Sequence, residues 1–188
     1  MSFSFGLTSK LRSRSFVEGD CVILEGDCPG ENNKDNDSCK QVYYDEPEKK
    51  GIHFRAVAKV ITDGEKKLIE NRLSITDATE AVIFFTAETS FNGFDKQPYL
   101  EGKEYIEPCM TRIAALCDYD ALKVAHLEDY KNIYDRVNLD LGEGREDIPT
   151  DKRLNIFKRN KSDISLITLV YNFGRFLAIS SSRKGSQP

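Results

Sequence analysis

The sequence predicts an α+β fold, with antiparallel strands first and helices after them. Three observations carry that prediction. Over residues 1–108, short alternating or wholly apolar stretches are separated by Asp, Asn, Gly and Pro, the punctuation of strands and turns. Beyond residue 108 the apolar residues recur at helical spacing instead. The stretch from Ile164 to Ile179 is apolar most of the way round a helix. A surface helix shows an apolar stripe, whereas one that is apolar on nearly every side is buried by neighbours. Nine residues follow Ile179, too few to supply those neighbours. The terminal helix is therefore expected to be the first wall of a domain whose remainder is absent from these 188 residues.

Composition narrows the function classes. The chain is 31% charged and 39% hydrophobic with a net charge of −4, which suits one or two soluble domains. The slightly acidic balance gives no electrostatic footprint for nucleic acid. There is no Trp, which is unusual for a sugar binder because carbohydrate sites often use flat aromatic rings; the aromatic content is Phe and Tyr. The opening MSFSFGLTSKLRSRSF lacks the apolar run of a secretory signal. Cys21, Cys28, Cys39, Cys109 and Cys117 are odd in number and lack the close spacing of a metal knuckle. Free thiols are favoured over a structural bridge. A spanning helix needs about 20 consecutive apolar residues. The terminal run is 16 residues interrupted by Asn172 and Arg175, so a core helix is favoured over a membrane span.

Taken in order, Phe3, Phe5 and Leu7 alternate at period two, and Cys21 to Leu24 fill both faces of a short strand closed by Asp27, Pro29 and Gly30. Residues 31–50 are polar and nearly free of aliphatic side chains, which reads as a solvated loop or insertion. A calcium site from Asp35, Asp37 and Asp45 is not favoured, because the Gly and Glu of a calcium loop are missing. Ile52 to Ile61 is a strand, followed by a hairpin turn at Asp63-Gly64 and two short returning strands within residues 67–75. Ala81 to Thr89 is apolar on both faces and reads as a fully buried strand. Ser90-Phe91-Asn92-Gly93-Phe94 then forms a turn, with Asn-Gly tolerating positive φ. The favoured reading buries both Phe rings over the sheet edge. Residues 97–108 are a Pro-bounded connector to a short helix over Met110–Cys117.

Asp120 to Val137 is an amphipathic helix with Asp118 or Asp120 as its cap. His126, one turn before Tyr130, reads as a packing residue rather than an acid or base. Pro149-Thr150-Asp151 opens the next helix, with Thr150 as cap and Asp151 in the first turn. Ser162 or Asp163 caps the terminal helix.

Several phrases resemble one family. Phe173 to Pro188, FGRFLAISSSRKGSQP, resembles the (F/Y)GR(Y/F)L-x-ISSSRPG(T/S)xP phrase that opens the catalytic barrel of glycoside hydrolase family 95, the α-L-fucosidases. Gly174, Arg175, Ser181, Ser182 and Arg183 carry the match, and Lys184 departs from the usual Pro. Ser90, Phe91, Asn92 and Gly93 are similar to the family's TSFNG(F/Y)D. His126 and Tyr130 match an H-x3-Y step followed by Arg-Val, and Pro149, Thr150, Asp151 and Arg153 match PTDxRL. The resemblance covers nearly all of the chain but an internal slice of the family.

What the resemblance implies is specific. Residues 1–108 would be the second half of an N-terminal β-sandwich, 109–160 a helical linker, and 161–188 the start of a truncated (α/α)6 catalytic barrel. The Ser90–Gly93 loop would touch the barrel or the mouth of its cleft. The parent activity would be inverting hydrolysis of terminal α-L-fucose, or the related L-galactose, from oligosaccharides, without a cofactor or metal. Its acid Glu, base Asn and activating Asp would lie downstream of Pro188, so no catalytic residue can be assigned here and the chain alone is expected to be inactive. Inverting glycosidases commonly hold two carboxyl groups about 6.5–9.5 Å apart, and no phrase in this sequence presents such a pair. The expected partner of the full-length parent is a fucosylated oligosaccharide, with no nucleic acid and no membrane. The resemblance suggests an extracellular or periplasmic location. The alternatives are a non-catalytic carbohydrate- or protein-binding sandwich module, or a gene remnant.

Overall fold

The computed structural model describes residues 1–35 and 38–183. It divides into two compact units, Met1–Tyr119 and Asp120–Pro188. In the first unit, β1 (Phe3–Phe5), β8 (Arg72–Thr76) and β7 (Glu65–Ile69) form a three-stranded sheet in that order. A four-stranded sheet runs β2 (Arg12–Glu18), β3 (Cys21–Asp27), β6 (His53–Thr62), β9 (Ala81–Thr89). All pairings are antiparallel.

The central strands β3 and β6 are apolar on both faces because each face has a cover. Val22 and Val60 pack against Leu73 and Ile75 of the smaller sheet, with Phe3 and Phe5 at the margin. On the opposite face Ile23, Val57 and Phe84 pack against Cys109 and Ile113 of α1 (Ile106–Ala115). The unit is thus layered sheet, sheet, helix. Each fully buried Val or Ile contributes roughly 1.5–3 kcal/mol of transfer free energy, so these two strands fix the layering. Helix α1 starts where the Glu104 carboxylate accepts the N–H groups of Ile106 (2.7 Å) and Glu107 (3.1 Å). Those two donors hold the Glu104 carboxyl below its usual range.

Several expectations are corrected. Helix α1, assigned from sequence to the linker, packs on the sheet of the first unit. Part of the polar stretch 31–50 is not loop: β4 (Glu31–Asp35) and β5 (Ser38–Val42) pair as a ribbon, whose ladder needs backbone groups and no apolar face. Asp37 of the weighed calcium site lies outside the described residues. Strand β2, RSRSFVE, gives no period-two signal, because its apolar residues are the adjacent pair Phe16-Val17. Asp63-Gly64 turns the chain from one sheet to the other instead of closing a hairpin. Strand β9 is an edge strand, not a fully buried one. Ile83 and Phe85 lie opposite Val60 and Ala58 but remain exposed.

The second unit holds α2 (Tyr119–Tyr134, from the boundary inward), α3 (Thr150–Asn160) and α4 (Ile164–Ser181). Helix α2 opens one residue after Asp118, with Asp120 in its first turn. Thr150 is the first helical residue of α3 rather than its cap; Pro149 holds the cap position. Asp163 caps α4, its carboxylate accepting the Leu166 N–H at 3.1 Å. Helix α4 extends past the 16-residue run through Ser180 and Ser181 to 18 residues. By length and composition alone it could cross a membrane. Leu166 and Ser165 are its buried residues, while Val170, Phe173 and Leu177, three and four apart, are about half exposed, so the neighbours its apolar faces call for are not supplied by these residues.

Candidate functional site

Two rows of charge cross the helix-bearing face of the four-stranded sheet. The antiparallel register sets Arg14, Glu25, Arg55 and Glu88 side by side, and Arg12, Asp27 and His53 in the next row. Glu25 accepts from Arg14 Nε (3.1 Å) and Nη2 (2.7 Å) and lies 3.3 Å from Arg55 Nη1. Glu88 pairs with Lys103 (3.5 Å) and with Arg112 of α1. Asp27 accepts from Arg12 Nε (3.2 Å) and Nη2 (2.9 Å), and its other oxygen is 2.5 Å from His53 Nδ1. Tyr105 stacks on His53 with centroids 6.2 Å apart, and Tyr99 lies tilted at 5.5 Å.

A concavity of about 340 Å³ opens here, lined by Arg12, Ser13, Arg14, Glu25, Gly26, Asp27 and Tyr105. Burial pushes the Tyr105 hydroxyl up, and the nearby Glu25 and Asp27 add to the effect. Arg55 is buried with its Nε unpartnered among the described residues. Alternating guanidinium and carboxylate groups beside aromatic rings can take a hydroxyl-rich ligand, by hydrogen bonds at its edge and ring contact at its face.

The loop after β9 is pinned to the same sheet. Ser90 is buried; its Oγ accepts the His53 N–H (3.0 Å), its N–H donates to His53 O (2.9 Å), and its carbonyl accepts the Lys103 N–H (3.0 Å). Asn92 Nδ2 donates to Glu101 O at 2.8 Å, and Gly93 sits at φ +122°, where a side chain would be strained. The favoured reading of two buried Phe rings is overturned. Phe94 is 91% exposed and Phe91 41% exposed. Polar contacts fix this loop: Gln97 Oε1 accepts from Tyr99 (2.6 Å) and Leu100 (2.7 Å), so the rings are not needed as anchors.

In the second unit the singled-out residues gather in two places. Tyr130 stacks with His126 (6.2 Å) and Tyr134 (5.1 Å) and meets Phe176 of α4 edge-on (6.0 Å). Arg175 lies over the Tyr134 ring at 4.4 Å and donates to the carbonyls of Tyr134 (2.5 Å) and Val137 (2.8 Å), closing the C-terminal end of α2. Arg183 pairs with Asp129 at 2.5 Å. Ser181 Oγ donates back to Leu177 O (2.8 Å), and the Ser182 N–H bonds Ala178 O as α4 ends. A Cβ at Gly174 would meet nothing within 4 Å. Lys184 lies outside the described residues.

The other gathering ties α3 to α4. Arg153 donates to both oxygens of Asp163 (2.8 and 2.9 Å) and to Ser165 Oγ (2.6 Å), with all three residues buried. The Arg153 fork, with the Leu166 and Arg145 N–H groups, holds the Asp163 carboxyl far below the usual carboxylate range. Gly144 passes so close that a Cβ would fall 2.1 Å from Ser165 Oγ. A cavity of about 270 Å³ adjoins this network, lined by Asp140, Gly142, Glu146, Arg153, Ser165, Thr168, Leu169 and Asn172. Thr168 Oγ1 is buried without a partner among the described residues.

Comparison with known proteins places this unit. Residues 118–188 match the glycosyl hydrolase family 95 catalytic domain. This segment belongs to that family. The whole chain is similar to alpha-L-fucosidase 2 of Arabidopsis thaliana, 28% identical over 204 aligned residues. It is also similar to probable alpha-fucosidase A of Aspergillus niger, 33% identical across 73% of this chain. The chain spans 24% of the length of the first relative and 19% of the second. The family 95 segment therefore contains both gatherings of the second unit and the smaller cavity, while the charged concavity lies before it.

Sequence reasoning found His126, Tyr130, Arg153, Arg175 and Arg183; it read Tyr134 as part of a helical stripe and Asp27 as a strand end, and missed Ser165 and the row that Asp27 forms with Arg12 and His53. A signal for the row was present. Arg12-x-Arg14 and Glu25-x-Asp27 carry opposite charges at period two on strands joined by Gly19-Asp20, which antiparallel pairing sets face to face.

Proposed function

We propose that the chain is a segment of a fucosidase-type glycosidase, whose whole removes terminal α-L-fucose or the related L-galactose from oligosaccharides with inversion. The observation that carries this reading is the similarity along the full 188 residues to a protein named alpha-L-fucosidase 2. In this reading residues 1–108 belong to an accessory sandwich, and α4 is the first helix of an (α/α)6 barrel. Its half-exposed apolar faces are then contact surfaces for further helices. Arg175 favours that role over a membrane span, because its charge is already spent on the end of α2. The 188 residues alone do not hydrolyse the substrate; both carboxylates lining the larger concavity already accept from arginines.

The genomic frame around Met1 and Pro188 tests the parent reading. A frame running past Pro188 into an ANLQG-like segment and further helices supports it; a stop with nothing barrel-like beyond overturns it for this product. Free fucose released from a fucosylated trisaccharide by the pure chain would overturn the inactivity. A second reading, a carbohydrate-binding module, is favoured by the Arg12–Asp27–His53 row beneath Tyr99 and Tyr105. Saturable heat on titrating the chain with fucosyl-oligosaccharide, abolished by Asp27→Ala, would establish it.

A further inference from the structure

Asn160, Lys161 and Ser162 close α3 and lead into α4, and they form an Asn-x-Ser acceptor pattern in which x is not Pro. All three residues are exposed. Lys161 adopts the left-handed conformation (φ +54°) and donates its N–H to Phe157 O at 3.0 Å, which ends the helix. That reversal brings the Ser162 N–H to Asn160 Oδ1 at 3.3 Å, an Asx turn. The carboxamide oxygen is thereby engaged, while Nδ2 has no partner among the described residues. The next residue, Asp163, is fully buried in the network with Arg153. The acceptor triplet thus comprises the exposed last residue of α3 and the exposed turn after it, and it ends where the buried network begins.

We infer that Asn160 is an acceptor for an N-linked oligosaccharide. The donor class is an oligosaccharide joined to a lipid pyrophosphate. Nδ2 forms the new bond to the anomeric carbon, the bond from that carbon to the pyrophosphate oxygen breaks, the lipid pyrophosphate leaves, and the amide gives up one proton to the transferase. No electrons change hands. The inference does not rest on the glycosidase reading. A second triplet, Asn36-Asp37-Ser38, is present in the sequence, with Asn36 and Asp37 outside the described residues.

The test is cell-free translation of the full chain, carrying an added cleavable signal, with endoplasmic-reticulum membranes. A known glycoprotein in the same reaction verifies the membranes. This readout needs neither folding nor export of the product. The expected result is a mobility shift removed by endoglycosidase. One step of that shift is lost in Asn160→Gln and in Ser162→Ala, persists in Asn36→Gln, and rises in occupancy in Ser162→Thr. Identical mobility for the parent chain and Asn160→Gln, or a shift abolished entirely by Asn36→Gln, would overturn the assignment.

Discussion

Asp163 does two jobs with one carboxylate, capping α4 and neutralising the buried Arg153 guanidinium. Removing one partner of a buried pair leaves the other charge stranded, which costs more than replacing both. Asp163→Asn is therefore expected to lower the far-UV helical signal and the amide protection of α3 and α4. Arg153→Lys is expected to follow it, since an ammonium cannot reproduce the two-pronged contact. The double change Arg153→Met with Asp163→Leu recovers the part of the loss that comes from the stranded charge, but not the part that comes from the lost cap on the Leu166 N–H. Unchanged protection in Asp163→Asn would show that the pair does not hold the helices together. Asp63 makes a pH prediction at the same scale. Bonds from the Thr79 hydroxyl and from the Glu80 and Thr79 N–H groups lower its pKa from 3.8 to about 2. A depressed carboxyl contributes stability that is present above its unfolded value and lost as pH falls through the folded one. The first unit should thus lose part of its stability between about pH 4 and pH 2, and Asp63→Asn should flatten its unfolding profile in that window. An equally steep profile in the variant would remove Asp63 from the account.

At the level of elements, α4 shows how far composition reads and where it stops. Its start, with Ser162 or Asp163 as the cap, and its near-continuous apolar surface were legible in the residues, while its last two residues were not. Its lack of cover followed from chain length and not from periodicity, which reports which faces want burial and not whether a partner covers them. Strand β9 repeats the lesson: two apolar faces suggested a central strand, yet register put Ile83 and Phe85 on an uncovered part of the sheet. The converse holds for Arg175. Its place in an apolar run gave no hint that it closes the end of α2 by donating to two carbonyls. Arg175→Ala should destabilise the α2–α4 contact by about 1–2 kcal/mol, read as loss of amide protection in the last turn of α2. Val170→Glu with Phe173→Glu should raise solubility and shift stability by less than about 0.5 kcal/mol, because both sites are already open to water. A large fall in stability would mean that this face is covered in the isolated chain.

Across the whole molecule, the α+β order and the succession from strands to helices were readable from the change of period near residue 108. The division at Tyr119 was not, because it depends on α1 laying Cys109 and Ile113 against Ile23 and Val57, far away in sequence. The charged row was hidden for the same reason, being assembled by register rather than by any local phrase. The two units differ sharply in core. Val22, Ile23, Val57, Val60, Ile75 and Ile113 are all fully or almost fully buried in the first, whereas Leu166 is the buried large hydrophobic residue among the described residues of the second. Hydrophobic burial must outweigh chain entropy for a unit to stand alone. Amides of β3, β6 and α1 should therefore exchange only through global opening of the first unit, while those of α2, α3 and α4 exchange through local opening orders of magnitude faster. Hydrogen exchange read by mass spectrometry separates the two sets. Equal protection in the helices would mean that polar ties such as Arg153–Asp163 and Arg175–Tyr134 suffice without a core. Selective protection of the first unit would identify the strands and α1 as the part of this chain that folds on its own resources.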